Sequence, residues 1–390
     1  MMRPLDGITV VSIEQAVAAP FATRQLADLG ARVFMIERPG DGDFARRYDE
    51  SVDGQASYFV WLNRSKESLA LDLKDQRGRA VLDELLAEAD VFVQNLAPGA
   101  AARMGLDAES LDNGKLIVCD VSGFGSSGSW SQRKAYDLLV QCQTGLVSLT
   151  GGEEPAKVGV SIADISAGMY AYSGILSALY LRATTGEARS VEVSLFDSLA
   201  EWVSQPAHFT RHTGTQPQRA GASHPTIAPY GPFTTADGKQ VLLAVQNDRE
   251  WAALCGRFLG DTGLTGDERF ATNSARVRHR DELDGIIADR FACLDSEEAG
   301  KLLDEIGIAN AGLNSVAEFL QHPALTERGR WRDIGIPGSV VPALLPPAIL
   351  SGVDPRMDPV PDVGDHSGTI LAELGRNQEE IGELRAQGVI

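Results

Sequence analysis

Asp164 stands immediately before a stretch in which Ile165, Met169, Tyr172, Leu176 and Leu179 recur at steps of four and three. That spacing predicts a helix with those five residues on its core face. A carboxylate at the start of such a helix has two readings. As an N-cap it accepts hydrogen bonds from the first free backbone N–H groups. In a cleft, kept ionised by the positive end of the helix, it is a nucleophile for covalent catalysis. Spacing alone leaves both open.

A second group of residues could do the chemistry of anion binding. Arg38, Lys74, Asn95, Arg103 and Lys134 each fall shortly after a segment that reads as a strand. Any one of them is ordinary surface, but their recurrence just past strand ends points to a shared anion site. Near Arg133 another helical stretch begins, carrying Tyr136 and Asp137 at its start.

The elements that must position these residues follow from periodicity. Residues 7–13 form an apolar strand, 20–29 a helix closed by Gly30, and 31–36 a second strand, which together make a βαβ unit with parallel strands. Strand 68–73, helix 75–89, strand 91–94 and strand 116–121 continue the alternation, so a mostly parallel sheet covered on both faces is expected. The first turn reads EQAVAAP, not GxGxxG, which argues against a dinucleotide site. The long helix also carries a stripe of small residues, Ala167, Ala171, Gly174 and Ala178, that admits another backbone at close range.

Composition bounds the rest. The chain has 390 residues, 43% hydrophobic and 23% charged, which is globular rather than disordered. A formal charge of −19 opposes a nucleic-acid or anionic-membrane partner at long range. Four scattered cysteines, with no CxxC, read as reduced thiols in a cytoplasmic protein without a zinc site. The expected division is a large domain over 1–202, a linker rich in Pro and His over 203–228, a small α+β domain over 229–325, and a segment over 326–390 that packs back on the large domain.

The segments PLDGITVV, LADLGARVFMIERPGDGD, YFVWLNRSKESLALDLK, ADVFVQNLAPGAAARMGL, SGFGSSG and SIADISAGMYAYSGILSALYLRATTGE together resemble the class III CoA-transferases, of the formyl-CoA transferase and carnitine CoA-transferase (CaiB/BaiF) type. The resemblance implies an α/β fold: a Rossmann-like parallel sheet in a large domain plus a smaller α+β domain, in an interlocked homodimer. It implies an acyl-CoA and a carboxylic acid acceptor as substrates, with no tightly bound cofactor and no metal. The CoA contacts fall on Ala16, Arg38, Leu71, Lys74, Asn95, Leu96, Arg103 and Lys134, and the substrate pocket on Tyr136 and Gln15. The catalytic aspartate falls on Asp164. It attacks the donor thioester to give a mixed anhydride and CoA thiolate; the thiolate then displaces the donor acid to leave an aspartyl-CoA thioester, which an acceptor carboxylate resolves. Asp137 takes the place of an acid that orients the acyl group, or else caps a helix. The family's glycine-rich oxyanion loop is replaced by GASHPTIAPYGPF, with only Gly221 and Gly231.

Two other readings stand beside this one. The same fold carries α-methylacyl-CoA racemases, whose catalytic histidine would fall on Tyr136, and a phenol titrating near 10 is a poor base at neutral pH. A CoA-binding protein without turnover is the third.

Overall fold

The computed structural model describes residues 2–111 and 114–390. Runs such as Val10–Val11 and Val91–Phe92–Val93, buried on both faces, form a six-stranded sheet. Its strands are β1 (Thr9–Ile13), β2 (Arg32–Glu37), β3 (Glu67–Ala70), β4 (Val91–Gln94), β5 (Ile117–Ser122) and β6 (Val191–Ser194). They lie in the order β3-β2-β1-β4-β5-β6, and every neighbouring pair is parallel. All carboxyl ends therefore share one edge, and the strand order reverses between β1 and β4, where open α/β sheets form a crevice. At about 4.8 Å per strand, residues just beyond β3, β2, β1 and β4 span roughly 15 Å of that edge.

The long helix, Ile162–Thr185, buries Leu179 as the sequence reading expects but otherwise turns a different stripe inward. Its buried face is the small one: Ala163, Ala167, Ala171, Ile175 and Ala178 are buried, whereas Met169 is exposed and Ile165, Tyr172 and Leu176 are only partly covered. The reason is the neighbouring helix Ala18–Asp28, whose backbone comes so near that a Cβ on Gly168 would lie 2.7 Å from the Ala18 carbonyl oxygen. Close approach demands small side chains there, so Met169 turns outward and Ile165, Tyr172 and Leu176 lie only partly covered, while farther along Ile175 and Leu179 are buried.

The chain forms two compact units. The first comprises Met1–Thr144, Gly159–Ser204 and Thr326–Ile390; the second comprises Gly145–Val158 and Gln205–Leu325. Late in the first unit, the proline-punctuated stretch holds an unanticipated hairpin, β10 (Trp331–Ile336) and β11 (Ser339–Leu344), turned by Pro337 and Gly338 at φ 80°. Helices Ser367–Glu373 and Gln378–Ala386 follow, and Ile370, Leu371 and Ile381 join the core made by Leu69, Leu71 and Leu82. The second unit has its own three-stranded antiparallel sheet, β7 (Tyr230–Thr234), β8 (Gln240–Ala244) and β9 (Ala309–Gly312), over a core that includes Trp251, Phe258 and Phe291. The histidine-bearing stretch before it contains the helix Ser204–Thr213.

Candidate functional site

The N-cap of the long helix is Ser161, whose side chain makes no capping bond, so its first N–H groups need an acceptor from elsewhere. Asp137 supplies it from another element. Its Oδ1 accepts from the N–H of Ala163 at 2.7 Å and of Asp164 at 3.4 Å, while Oδ2 accepts from Gln141 Nε2 at 2.7 Å. Asp137 is itself the first residue of the short helix Asp137–Gln143, after an exposed Tyr136. It caps a helix, but not its own.

Asp164 is therefore the third residue of the long helix and not its cap, which corrects one sequence reading. The electrostatic expectation is corrected too. Burial, and then the neighbouring Asp137 carboxylate, push the Asp164 carboxyl up to about 7 instead of holding it ionised. The helix end does not lower it because its N–H groups are already taken by Asp137. Among the described residues no hydrogen bond reaches the Asp164 carboxylate. The result is an acid that is half ionised near neutrality and, once ionised, poorly solvated and reactive.

Aromatic side chains line the approach. Phe21, Trp61, Tyr58, Tyr48 and Phe44 follow one another ring against ring, and Tyr58 Oη lies 3.2 Å from Ser161 Oγ at the start of the long helix. Burial, followed by the Asp43 and Asp164 carboxylates, pushes the Tyr48 phenol up to about 12, so it keeps its proton. The sequence reading missed Asp43, Tyr48 and Tyr58. Asp43 had a signal, since it directly precedes Phe44–Arg47 as a cap and accepts from the Ala45 N–H at 3.1 Å. The tyrosines had none, because what ties them to the site, Ser161 beside Tyr58 and the Asp164 carboxylate near Tyr48, comes from a distant part of the chain.

At the sheet edge, three expected residues meet. The Asn95 side chain brackets Gln15, accepting its N–H and donating to its carbonyl, both at 2.8 Å. Ala16 follows in a left-handed conformation at φ 61° and donates its N–H to Asp43 at 3.0 and 3.3 Å. Leu96 is half-buried, its N–H bound to Gln94 Oε1. Leu71 is buried in the core, which leaves only its backbone for any ligand. Arg38, Lys74, Arg103 and Lys134 are exposed, follow successive strands, and have no ion pair among the described residues. That sets them apart from Arg46, Arg47, Arg64 and Lys66, each paired with a carboxylate at 2.6–2.7 Å. No described bond joins the four free cations to Asp164. Among the described residues no cluster of His, Cys, Asp or Glu is arranged to hold a metal ion.

Within the second unit, the segment GASHPTIAPYGPF is held by side chains that bond its backbone. Arg276 Nε donates to the Ala228 carbonyl at 2.7 Å, Arg280 to those of His224 and Ile227 at 2.7 and 2.9 Å, and Asn273 Nδ2 to that of Thr226 at 2.9 Å. A Cβ on Gly231 would collide with Ser223.

A family model described as CoA-transferase family III matches residues 5–367. A succinate–glutarate CoA-transferase of Agrobacterium fabrum is 36% identical over 95% of this chain and 96% of its own. An acetyl-CoA:oxalate CoA-transferase of Acetobacter aceti is 35% identical over 94% and 95%. Among solved structures, a CaiB/BaiF family protein from Brucella suis aligns with a TM-score of 0.85 at 35% identity, covering 96% of this chain and all of that one.

Proposed function

The chain belongs to CoA-transferase family III, and on that premise we propose that it moves coenzyme A between carboxylic acids through Asp164 as a covalent relay. That it is a CoA-transferase follows from its relatives. The relay is our reading. One observation carries it: a half-buried aspartate poised near neutrality, whose carboxylate has no hydrogen bond among the described residues and a second carboxylate beside it. An ionised carboxylate of that kind attacks the donor thioester carbonyl and expels CoA thiolate, leaving a mixed anhydride. The thiolate returns to the aspartyl carbonyl and displaces the donor acid. The aspartyl-CoA thioester then yields to the acceptor carboxylate by the same two steps reversed. One thioester replaces another of similar energy, so no external energy source is consumed.

The unpaired cations Arg38, Lys74, Arg103 and Lys134 are the proposed holders of the CoA phosphates, with the turns at Ala16, Leu71, Asn95 and Leu96 framing the nucleotide. Local cations prevail over a net charge of −19 because salt screens distant charge within about 10 Å. Tyr136 and Gln15 are proposed to line the acyl pocket. Asp137, besides capping the long helix, holds Asp164 in place and sets its ionisation.

A dicarboxylate acceptor of the glutarate class, with succinyl-CoA as donor, is the substrate pair we propose, supported by the name of the Agrobacterium relative. A homodimer is supported by large apolar side chains left outward on the first unit, including Tyr136, Leu139 and Tyr180. Among the described residues no helix is long and apolar enough to cross a membrane, and the free cysteines suit the cytoplasm. The test is a panel of carboxylic acids offered with succinyl-CoA in deuterated water, read by the mass of the CoA esters. New CoA esters that form only with an acceptor acid support the reading. Deuterium entering the α-carbon without any acceptor would instead indicate an isomerase.

A further inference from the structure

Asp43 is an acid at the sheet edge that the relay does not use, and its surroundings are unusual. It is 5% exposed, follows β2 in the loop that begins with Arg38, and has no cation paired with it among the described residues. The neighbouring Glu37 is different, since Arg46 holds it in a bidentate pair at 2.7 and 2.9 Å. A buried unpaired carboxylate is costly, and more so at an edge that has to receive phosphates. Its bonds indicate what offsets that cost. Asp43 accepts the N–H of Ala16 through both oxygens and the N–H of Ala45 through Oδ1. Its own N–H donates to Glu37 Oε1 at 2.9 Å.

Among the described residues Ala16 is one of three non-glycine residues with positive φ, at 61°. A side chain disfavours that conformation, so surrounding bonds must enforce it. Asn95 fixes the preceding peptide from the β4 side, and Asp43 fixes Ala16 from the β2 side. The strained turn is held between the two strands that flank β1.

We propose that Asp43 is a positioning residue for acyl-CoA binding: its carboxylate ties the left-handed Ala16 turn after β1 to the Arg38 loop after β2, so that both meet the nucleotide in one fixed geometry. The proposal rests on the reading of Ala16 and Arg38 as CoA contacts. It predicts a loss mainly of CoA affinity, which depends on the strain at Ala16.

The experiment is a double-mutant cycle read by calorimetric binding of CoA and by steady-state kinetics. Asp43→Ala is expected to raise the Kd for CoA and the KM for acyl-CoA about tenfold, with kcat falling less. Asp43→Asn, which keeps one acceptor oxygen, should lose less. In an Ala16→Gly background, where positive φ costs little, the effect of Asp43→Ala should shrink to about threefold or below. An equal loss in both backgrounds, or no loss in either, overturns the proposal and leaves Asp164 untouched as relay. Failure of the unaltered protein to bind CoA would instead overturn the underlying reading. Should Asp43→Ala fail to fold, hydrogen exchange on the unaltered protein decides: the Ala16 amide should be protected and become more so with CoA, and an unprotected amide overturns the proposal.

Discussion

Replacing Asp164 by asparagine should make the protein more stable as well as inactive, and the gain should depend on pH. Burial and Asp137 raise the carboxyl from 3.8 to about 7 in the folded chain. The folded state thus keeps a proton that the unfolded state has released, so stability falls as pH rises from about 4 to about 7 and then levels. Over the whole window the displacement corresponds to roughly 4 kcal/mol, and between about pH 5 and about pH 8 to roughly 2–3 kcal/mol. Asparagine has the same shape and does not titrate, so the variant escapes this loss. The assay is thermal unfolding of both proteins across that range. The gap in Tm should widen by about 5–10 °C toward alkaline pH, at about 2–4 °C per kcal/mol for a unit of this size. A gap that stays constant with pH, or a variant that is the less stable one at about pH 8, refutes the idea that an ionised Asp164 is stored at a cost in this fold.

Four further outcomes follow from the same structure. Asp137→Asn removes the charge that opposes ionisation of Asp164, so the acid limb of the kcat/KM profile should move to lower pH; a limb that stays in place contradicts the coupling. Arg38→Ala and Lys74→Ala should each raise the KM for acyl-CoA about tenfold, with the loss shrinking at high salt, while the KM for the acceptor acid stays within about twofold. Gly168→Ala should destabilise by about 1–3 kcal/mol in chemical denaturation, because its Cβ would lie 2.7 Å from the Ala18 carbonyl. Gly382→Ala, in a helix with open space around it, should gain about 0.5–1 kcal/mol instead.

The parallel sheet was legible in the sequence because runs such as Val10–Val11 and Val91–Phe92–Val93 are buried on both faces and recur between helical stretches. The orientation of the long helix was not. Hydrophobic periodicity takes the larger residues for the core, and here the tight contact with the helix Ala18–Asp28 fills the inside of the first turns with alanine and glycine instead. The position of Asp164 at a helix start was readable, but its ionisation was not, because the acid that takes the helix N–H groups lies 27 residues earlier. The β10–β11 hairpin was hidden by its prolines, one of which, Pro342, sits within β11 itself. The role of Asp43 needed coordinates, since only they reveal the positive φ at Ala16 that its carboxylate holds.

The most direct test of the relay is to trap it. The protein is mixed with succinyl-CoA, quenched with hydroxylamine and digested, and the peptide containing Asp164 is analysed by mass spectrometry. A hydroxamate on Asp164, formed only when the acyl-CoA is present, is the predicted result. An unmodified Asp164 in a preparation that still exchanges CoA between acids would contradict the account.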